Sequence, residues 1–358
     1  MSKRVLMNGN DAVGEGAIRG GCDAYFGYPI TPQNELTAYM AAHMPRHERV
    51  FIQAESEIAA INMVFGAAVT GKRAMTSSSS PGISLKQEGI SYLAAAELPA
   101  VIVNVQRGGP GLGNIAPSQS DYFQATKGGG HGDYRLIVLA PASVQEMHDL
   151  TIEAFALADR FRSPVMVLTD GRLGQMMEPL KLHEGKPPAR PPKPWALTGA
   201  VGRRSNMIRS LLLDDGVLEQ HNLHLQRKFA LIKNSLLKFE ELNTRDCDVL
   251  IVAYGTSARI AKGAMDKARA KGMKVGLLRP VTLWPYPSAR IRQLAAQVKG
   301  ILVVEMSSGQ MVEDVRLAAG DRAPVVFEGR LGGAVPEEND VLAALRGILR
   351  RSRGRKLS

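Results

Sequence analysis

Val50-Phe51-Ile52-Gln53-Ala54-Glu55-Ser56-Glu57-Ile58-Ala59-Ala60-Ile61-Asn62-Met63-Val64 passes, within four residues, from a strand-like run to a helical run of small apolar residues. Such a junction decides the fold class, because buried strands feeding directly into helices build a sheet covered by helices. It also places a carboxylate at the turn. Ile58, Ala59, Ile61, Met63, Val64, Ala67 and Ala68 line a helix with little polar surface and offer Glu57 almost no water. A carboxyl group held dry can share a proton with a heterocyclic nitrogen. Glu55 and Glu57 also suit a plain helix start, where acidic side chains meet the positive end of the helix dipole.

Working outward, the same alternation recurs. Short β-branched runs at Ala24–Tyr28, Val50–Gln53, Arg73–Thr76, Ala100–Val105, Leu136–Ala140 and Pro164–Asp170 alternate with helical stretches at Pro32–Met44, Glu57–Thr70, Gly82–Ala95 and Ser143–Phe161. This pattern predicts an α/β, doubly wound parallel sheet, with ligands bound by the loops at the carboxyl ends of its strands. Tyr28–Pro32, Gln53–Glu57, Ser77–Gly82 and Gln106–Gly113 all fall there.

Pro187, Pro188, Pro191, Pro192 and Pro194 then crowd a stretch whose composition favours extended chain over packing, the mark of a linker. Asp214–Leu242 reads mostly as an amphipathic helix, with Leu218, Leu225, Phe229, Ile232 and Leu236 as its buried positions. A second alternating block follows at Val249–Ala253, Val275–Leu278, Ile301–Glu305 and Val325–Glu328, with a last helix from Pro336. The expected divisions are 1–185, a connector at 186–245, and 246–358. Gly255-Thr256-Ser257, at the first strand end of the second block, either offers backbone amides to an anion or is only a turn and cap.

The chain has 358 residues and a net charge of +11, which suits anionic ligands or partners. Its basic residues are dispersed except for Arg346, Arg350, Arg351, Arg353, Arg355 and Lys356, which read as a solvated end rather than a nucleic-acid site. Cys22 and Cys247 are the only cysteines, too few for a disulfide framework or a four-thiolate iron–sulfur cluster. His221 and His224 fall in a polar helical stretch, so no metal site is expected. No signal peptide precedes Met7 and no apolar run is long enough to span a bilayer, so a cytoplasmic protein without a membrane partner is expected. Gly108–Gly113 and Gly128–Asp133 match neither a P-loop nor a Rossmann fingerprint and read as close-approach loops around the active centre.

Glu57, followed nine positions later by Gly66 with Ala59, Ala60, Ala67 and Ala68 around it, resembles the glutamate helix of the pyrimidine-binding domain in thiamine diphosphate enzymes. Tyr28-Pro29-Ile30-Thr31-Pro32, Met75–Gly82, Val105–Pro110 and Ala140–Glu146 resemble the alpha-type subunit of 2-oxoacid:ferredoxin oxidoreductases, most of all the branched-chain type acting on 2-oxoisovalerate (3-methyl-2-oxobutanoate). The resemblance runs from Leu6 to Leu349. It implies an N-terminal pyrimidine-binding domain and a C-terminal domain like that of transketolase.

The resemblance further implies oxidative decarboxylation of a 2-oxoacid to acyl-CoA and CO2, with coenzyme A as co-substrate and ferredoxin as electron acceptor. Pyruvate, 2-oxoglutarate and aryl pyruvates remain open as substrates, and a non-catalytic scaffold subunit remains the alternative of another class. Glu57 would bond the aminopyrimidine, Pro29, Ile30, Ser80 and Pro81 would touch the coenzyme, and Thr31 and Arg107 would hold the substrate carboxylate. Taken alone, Thr31 also reads as a helix cap and Arg107 as half of a structural ion pair. No Gly-Asp-Gly with a distant Asn occurs in a suitable setting, so the diphosphate, Mg2+ and iron–sulfur clusters are expected on a beta-type partner. Gamma-type and ferredoxin-like delta-type subunits are expected beside it.

Overall fold

A computed structural model describes residues 4–354. Along the chain run β1 (Arg4–Asn8), α1 (Gly9–Arg19), β2 (Ala24–Gly27), α2 (Asn34–His43), β3 (Val50–Gln53), α3 (Glu57–Val69), β4 (Ala74–Ser78) and α4 (Ser80–Ala95). There follow β5 (Ala100–Gln106), β6 (Ile137–Leu139), α5 (Val144–Phe161), β7 (Pro164–Asp170), α6 (Gly171–Gln175), β8 (Met177–Lys181) and α7 (Val217–Ser235). The remainder comprises β9 (Phe239–Leu242), β10 (Val249–Val252), α8 (Gly255–Ala270), β11 (Val275–Pro280), β12 (Thr282–Trp284), α9 (Ser288–Ala295), β13 (Gly300–Glu305), α10 (Met311–Ala319), β14 (Val325–Gly329) and α11 (Glu338–Gly354).

Two large sheets carry the molecule, beside an antiparallel pair of β1 and β8. The larger has the order β12-β6-β7-β5-β4-β2-β3, and the second β14-β13-β10-β11-β9. All neighbours in the larger sheet are parallel except β12, which joins β6 antiparallel. In the second sheet only β9 runs antiparallel. β4, β5 and β7 are buried along their whole length, as continuous apolar or small-residue runs between two helical layers must be. Register aligns the strand ends: Gly27 lies opposite Gln53, Ser78 opposite Asn104, and Gln106 opposite Asp170. The loops that follow therefore emerge on one edge.

Three expectations are corrected. The helix expected to run to Leu242 ends at Ser235, and Phe239–Leu242 is a strand that caps the edge of the second sheet. Leu218 is exposed, whereas Leu225, Phe229, Ile232 and Leu236 are buried. The proline-rich stretch is pinned rather than free: Arg73, fully buried, donates to the carbonyls of Pro188 and Ala189 and to Asp159, while Lys193 pairs with the other oxygen of Asp159 at 2.6 Å. Arg190 completes the attachment by gripping both oxygens of Asp23. Local composition favours extension, but ionic anchors at both ends of the segment decide where it lies.

The sheets meet through the 117–127 segment. Gln119 donates from its backbone to the Met306 carbonyl and from its side chain to the Tyr254 carbonyl, and accepts from Ser257 and from the Met306 amide. Tyr122 bonds Asp314, and Gln310 bonds the backbone on both sides of it, at Ser120 and Phe123. Among the described residues no helix is long and apolar enough to cross a membrane. Arg355 and Lys356 of the basic tail lie outside the described residues.

Candidate active site

Ser56 takes the cap position of α3 and accepts from the Ala59 amide, which fixes Glu57 as the first helical residue. Glu57 is thus a helix-start acid, yet it faces inward: only 6% of its surface is exposed, whereas Glu55 is exposed. The dryness does not come from Ile58, as the sequence pattern predicts. Ile58 is 51% exposed, and the cover is supplied by α4 instead. A β-carbon on Gly82 would lie 2.5 Å from Glu57 Oε1 and 2.1 Å from Ser78 Oγ, so only glycine allows this approach.

Within the chain the Glu57 carboxylate has no hydrogen-bond partner among the described residues. Beside it at the Gly82 position the Ser78 hydroxyl is buried and likewise unpaired, as are the hydroxyls of Thr76 and Ser79 on the same stretch of chain. Buried polar groups are normally satisfied, so a cluster left unsatisfied marks a place prepared for a polar guest. The donor set fits the aminopyrimidine of thiamine diphosphate, which offers ring and amino nitrogens to a carboxylate.

On the other side of the first turn of α4 lies a crevice of about 560 Å3, walled by Ser80, Pro81, Arg107, Asp121, Met306 and Leu331 among others. Ser80 organises it. Its hydroxyl accepts from the Arg107 amide at 3.0 Å and donates to Asp121 at 2.6 Å. Burial pushes the Asp121 carboxyl above its ordinary value, against the opposing pull of the Ser80 and Asn104 donors.

Arg107 follows β5 and is 9% exposed; its terminal nitrogens donate to the main-chain carbonyls of Thr31 at 2.9 Å and Leu112 at 3.0 Å, while Nε has no partner. It has no carboxylate partner among the described residues, so the structural ion pair is not what holds it. Thr31 is not the cap of α2, which Gln33 occupies; its hydroxyl accepts from Asn34 at 3.1 Å. Thr31 and Arg107 are therefore neighbours, with Ile30 half-buried and Pro29 exposed just ahead of them.

Not every loop at this edge joins the site. Gly255-Thr256-Ser257 is sealed against the larger sheet, where Asp170 accepts from Thr256 Oγ1 at 2.9 Å and already places a carboxyl group at the start of α8. Gly129 and Gly130 pack on Gln87 of α4 rather than on the crevice. His221 bonds the Ala95 carbonyl and His224 bonds Glu97, docking α7 onto the end of α4. A larger cavity of about 760 Å3 between Arg135, Phe229 and Trp284 holds none of the predicted site residues.

Sequence reasoning missed the 306–310 loop, which brings Met306, Ser307 and Gln310 to the crevice. Glu305 shapes it by accepting the amides of Gln310, Met311 and Val312. The signal was present, since this loop follows a strand of a parallel sheet at its carboxyl end.

Known proteins match the chain over nearly its whole length. Residues 15–194 match the family described as "Pyruvate flavodoxin/ferredoxin oxidoreductase, thiamine diP-bdg", and residues 247–341 match "Pyruvate:ferredoxin oxidoreductase core domain II". The ketoisovalerate oxidoreductase subunit VorB of Methanothermobacter marburgensis is 54% identical over 96% of this chain and 97% of its own length. The 2-oxoglutarate synthase subunit KorA of Methanothermobacter thermautotrophicus is 37% identical over 96% of this chain and 98% of its own. Among solved structures, the 2-oxoglutarate:ferredoxin oxidoreductase of Magnetococcus marinus, with 2-oxoglutarate, coenzyme A and succinyl-CoA bound, superposes with a TM-score of 0.85 at 29% identity. It covers 97% of this chain, which in turn spans 65% of that one. The chain belongs to the thiamine diphosphate-binding pyruvate flavodoxin/ferredoxin oxidoreductase family and is a subunit of a 2-oxoacid oxidoreductase of that family.

Proposed function

We propose that this chain supplies the pyrimidine side of a thiamine diphosphate site in a complex that oxidatively decarboxylates 2-oxoisovalerate and other branched-chain 2-oxoacids to acyl-CoA and CO2, reducing ferredoxin. The observation that carries the reading is the buried carboxylate of Glu57, without a hydrogen-bond partner among the described residues, beside the glycine at position 82. Bound thiamine diphosphate supplies a nucleophilic carbon and an electron sink. Glu57 holds and moves a proton at the pyrimidine nitrogen, and Pro29, Ile30, Ser80 and Pro81 shape the seat. Arg107 and the Thr31 hydroxyl orient the substrate carboxylate. Arg107 acts as a positioning group, because a tight grip on a charge that decarboxylation removes would stabilise the ground state. The diphosphate, Mg2+ and iron–sulfur clusters are assigned to a beta-type subunit, with gamma-type and delta-type subunits completing the complex.

Substrate class follows from the crevice and the relatives together. Among the described residues Arg107 is the one cationic side chain in its wall, which also carries Asp121, Met306, Leu331, Gln310 and several serines. A single carboxylate matches that charge pattern, and Met306 and Leu331 offer apolar surface to its chain. A second carboxylate would meet Asp121 and neutral hydroxyls without a counter-charge. The 54% identical ketoisovalerate oxidoreductase subunit agrees. Turnover of the co-purified complex on 2-oxoisovalerate, pyruvate and 2-oxoglutarate, measured side by side with coenzyme A and ferredoxin, is expected to favour 2-oxoisovalerate in kcat/KM; preference for 2-oxoglutarate would overturn the assignment.

A further inference from the structure

Gly82, Lys86 and Gly89 stand on one face of α4, spaced so that they line up along the helix. The two glycines bring the helices into contact, since β-carbons on them would lie 2.5 Å from Glu57 Oε1 and 2.5 Å from Ile61 Cγ2. Between them the seam holds a lysine, fully buried. Its sole hydrogen bond among the described residues is to the Glu57 main-chain carbonyl, at 3.4 Å. An ammonium with three donors and one long bond is costly to bury unless an opposite charge stands nearby.

We propose that Lys86 is a positioning residue that keeps the Glu57 side chain in its carboxylate form, aimed at the coenzyme's pyrimidine. The proposal rests on the reading that Glu57 meets that ring. A fixed cation beside a shared proton biases the proton away from the carboxylate and onto the ring nitrogen, which is the arrangement the site has to stabilise. Burial pushes the Lys86 ammonium down to about 8, and Glu57, the charged group that faces it, opposes that shift. The lysine therefore carries its charge at neutral pH and sheds it as pH rises through about 8.

The test is proton uptake on adding thiamine diphosphate and Mg2+ to the co-purified complex at pH 7, read by calorimetry in two buffers of different ionisation enthalpy. The native complex is expected to take up about one proton more than a Glu57→Gln complex. Lys86→Met is expected to abolish that difference and Lys86→Arg to restore it; Lys86→Gln, which retains a donor without the charge, is expected to behave like Lys86→Met. In the native complex the difference shrinks between pH 8 and 9. Equal uptake in the native, Lys86→Met and Lys86→Gln complexes, while Glu57→Gln still removes it, overturns the role of Lys86 alone. Uptake indifferent to Glu57→Gln overturns the underlying assignment of Glu57.

Discussion

A methyl group added at position 82 would sit between Ser78 Oγ and Glu57 Oε1, closer to both than any relaxed contact permits. Gly82→Ala is therefore expected to leave the sheets intact and turn the Glu57 carboxylate out of its place. Overpacking of this kind costs about 1–3 kcal/mol, equivalent to roughly 5- to 150-fold in affinity. Equilibrium binding of thiamine diphosphate to the complex should weaken within that range while circular dichroism stays unchanged; undiminished affinity would show that Glu57 is not the anchor. At this scale the sequence was readable for the burial of Glu57 at a strand-to-helix turn. It was misleading about what dries that side chain, because Ile58 points outward and the cover comes from a helix some 25 residues further along the chain. Lys86 and Asp121 gave no local signal, since neither burial nor a partner such as Ser80 can be read from spacing.

Elements were legible wherever their period was set by burial on both faces. β5 and β7 fall where their apolar runs place them, and α5 begins one residue after its expected start because Ser143 serves as its cap. Elements fixed by distant partners were not. β9 and β12 are short strands recruited to sheet edges, and α7 adds to its buried Leu225, Phe229 and Ile232 a set of polar bonds at the end of α4 that its periodicity does not announce. Lys228 and His224 both reach Glu97 at 3.1 Å. Burial alone would raise the Glu97 carboxyl, but Lys228 and His224 outweigh it and hold the group below its ordinary value of 4.5. A carboxyl lowered in the folded state contributes stability above the unfolded value, and that contribution is lost as pH falls through the folded one. Protection factors of the α7 amides are therefore expected to fall below pH 4.5 relative to those of β5, and Glu97→Gln should lower them in the same way at pH 7. Protection factors of α7 that keep their ratio to those of β5 at both pH values would refute this.

For the whole molecule, the two-sheet plan was legible from alternation alone, but the joint between the sheets was not, because its partners stand 135 to 192 residues apart in the chain. Gln119 is the joint's centre. Gln119→Leu would leave the Met306 amide and the Tyr254 carbonyl buried without partners, at about 1–3 kcal/mol each. A urea midpoint lowered accordingly, together with a weaker KM for the 2-oxoacid as the 306–310 loop drifts from Arg107, is the expected result; an unchanged midpoint would mean the sheets are held elsewhere. The edge that carries Glu57, Thr31 and Arg107 is where the proposed chemistry is placed. Its most direct test is Glu57→Gln in the complex purified with its partner subunits, comparing thiamine diphosphate content with CO2 release from 2-oxoisovalerate. The account predicts intact assembly, coenzyme still bound and decarboxylation reduced at least about 100-fold, the scale of a lost acid–base group. Turnover close to that of the native complex would contradict it.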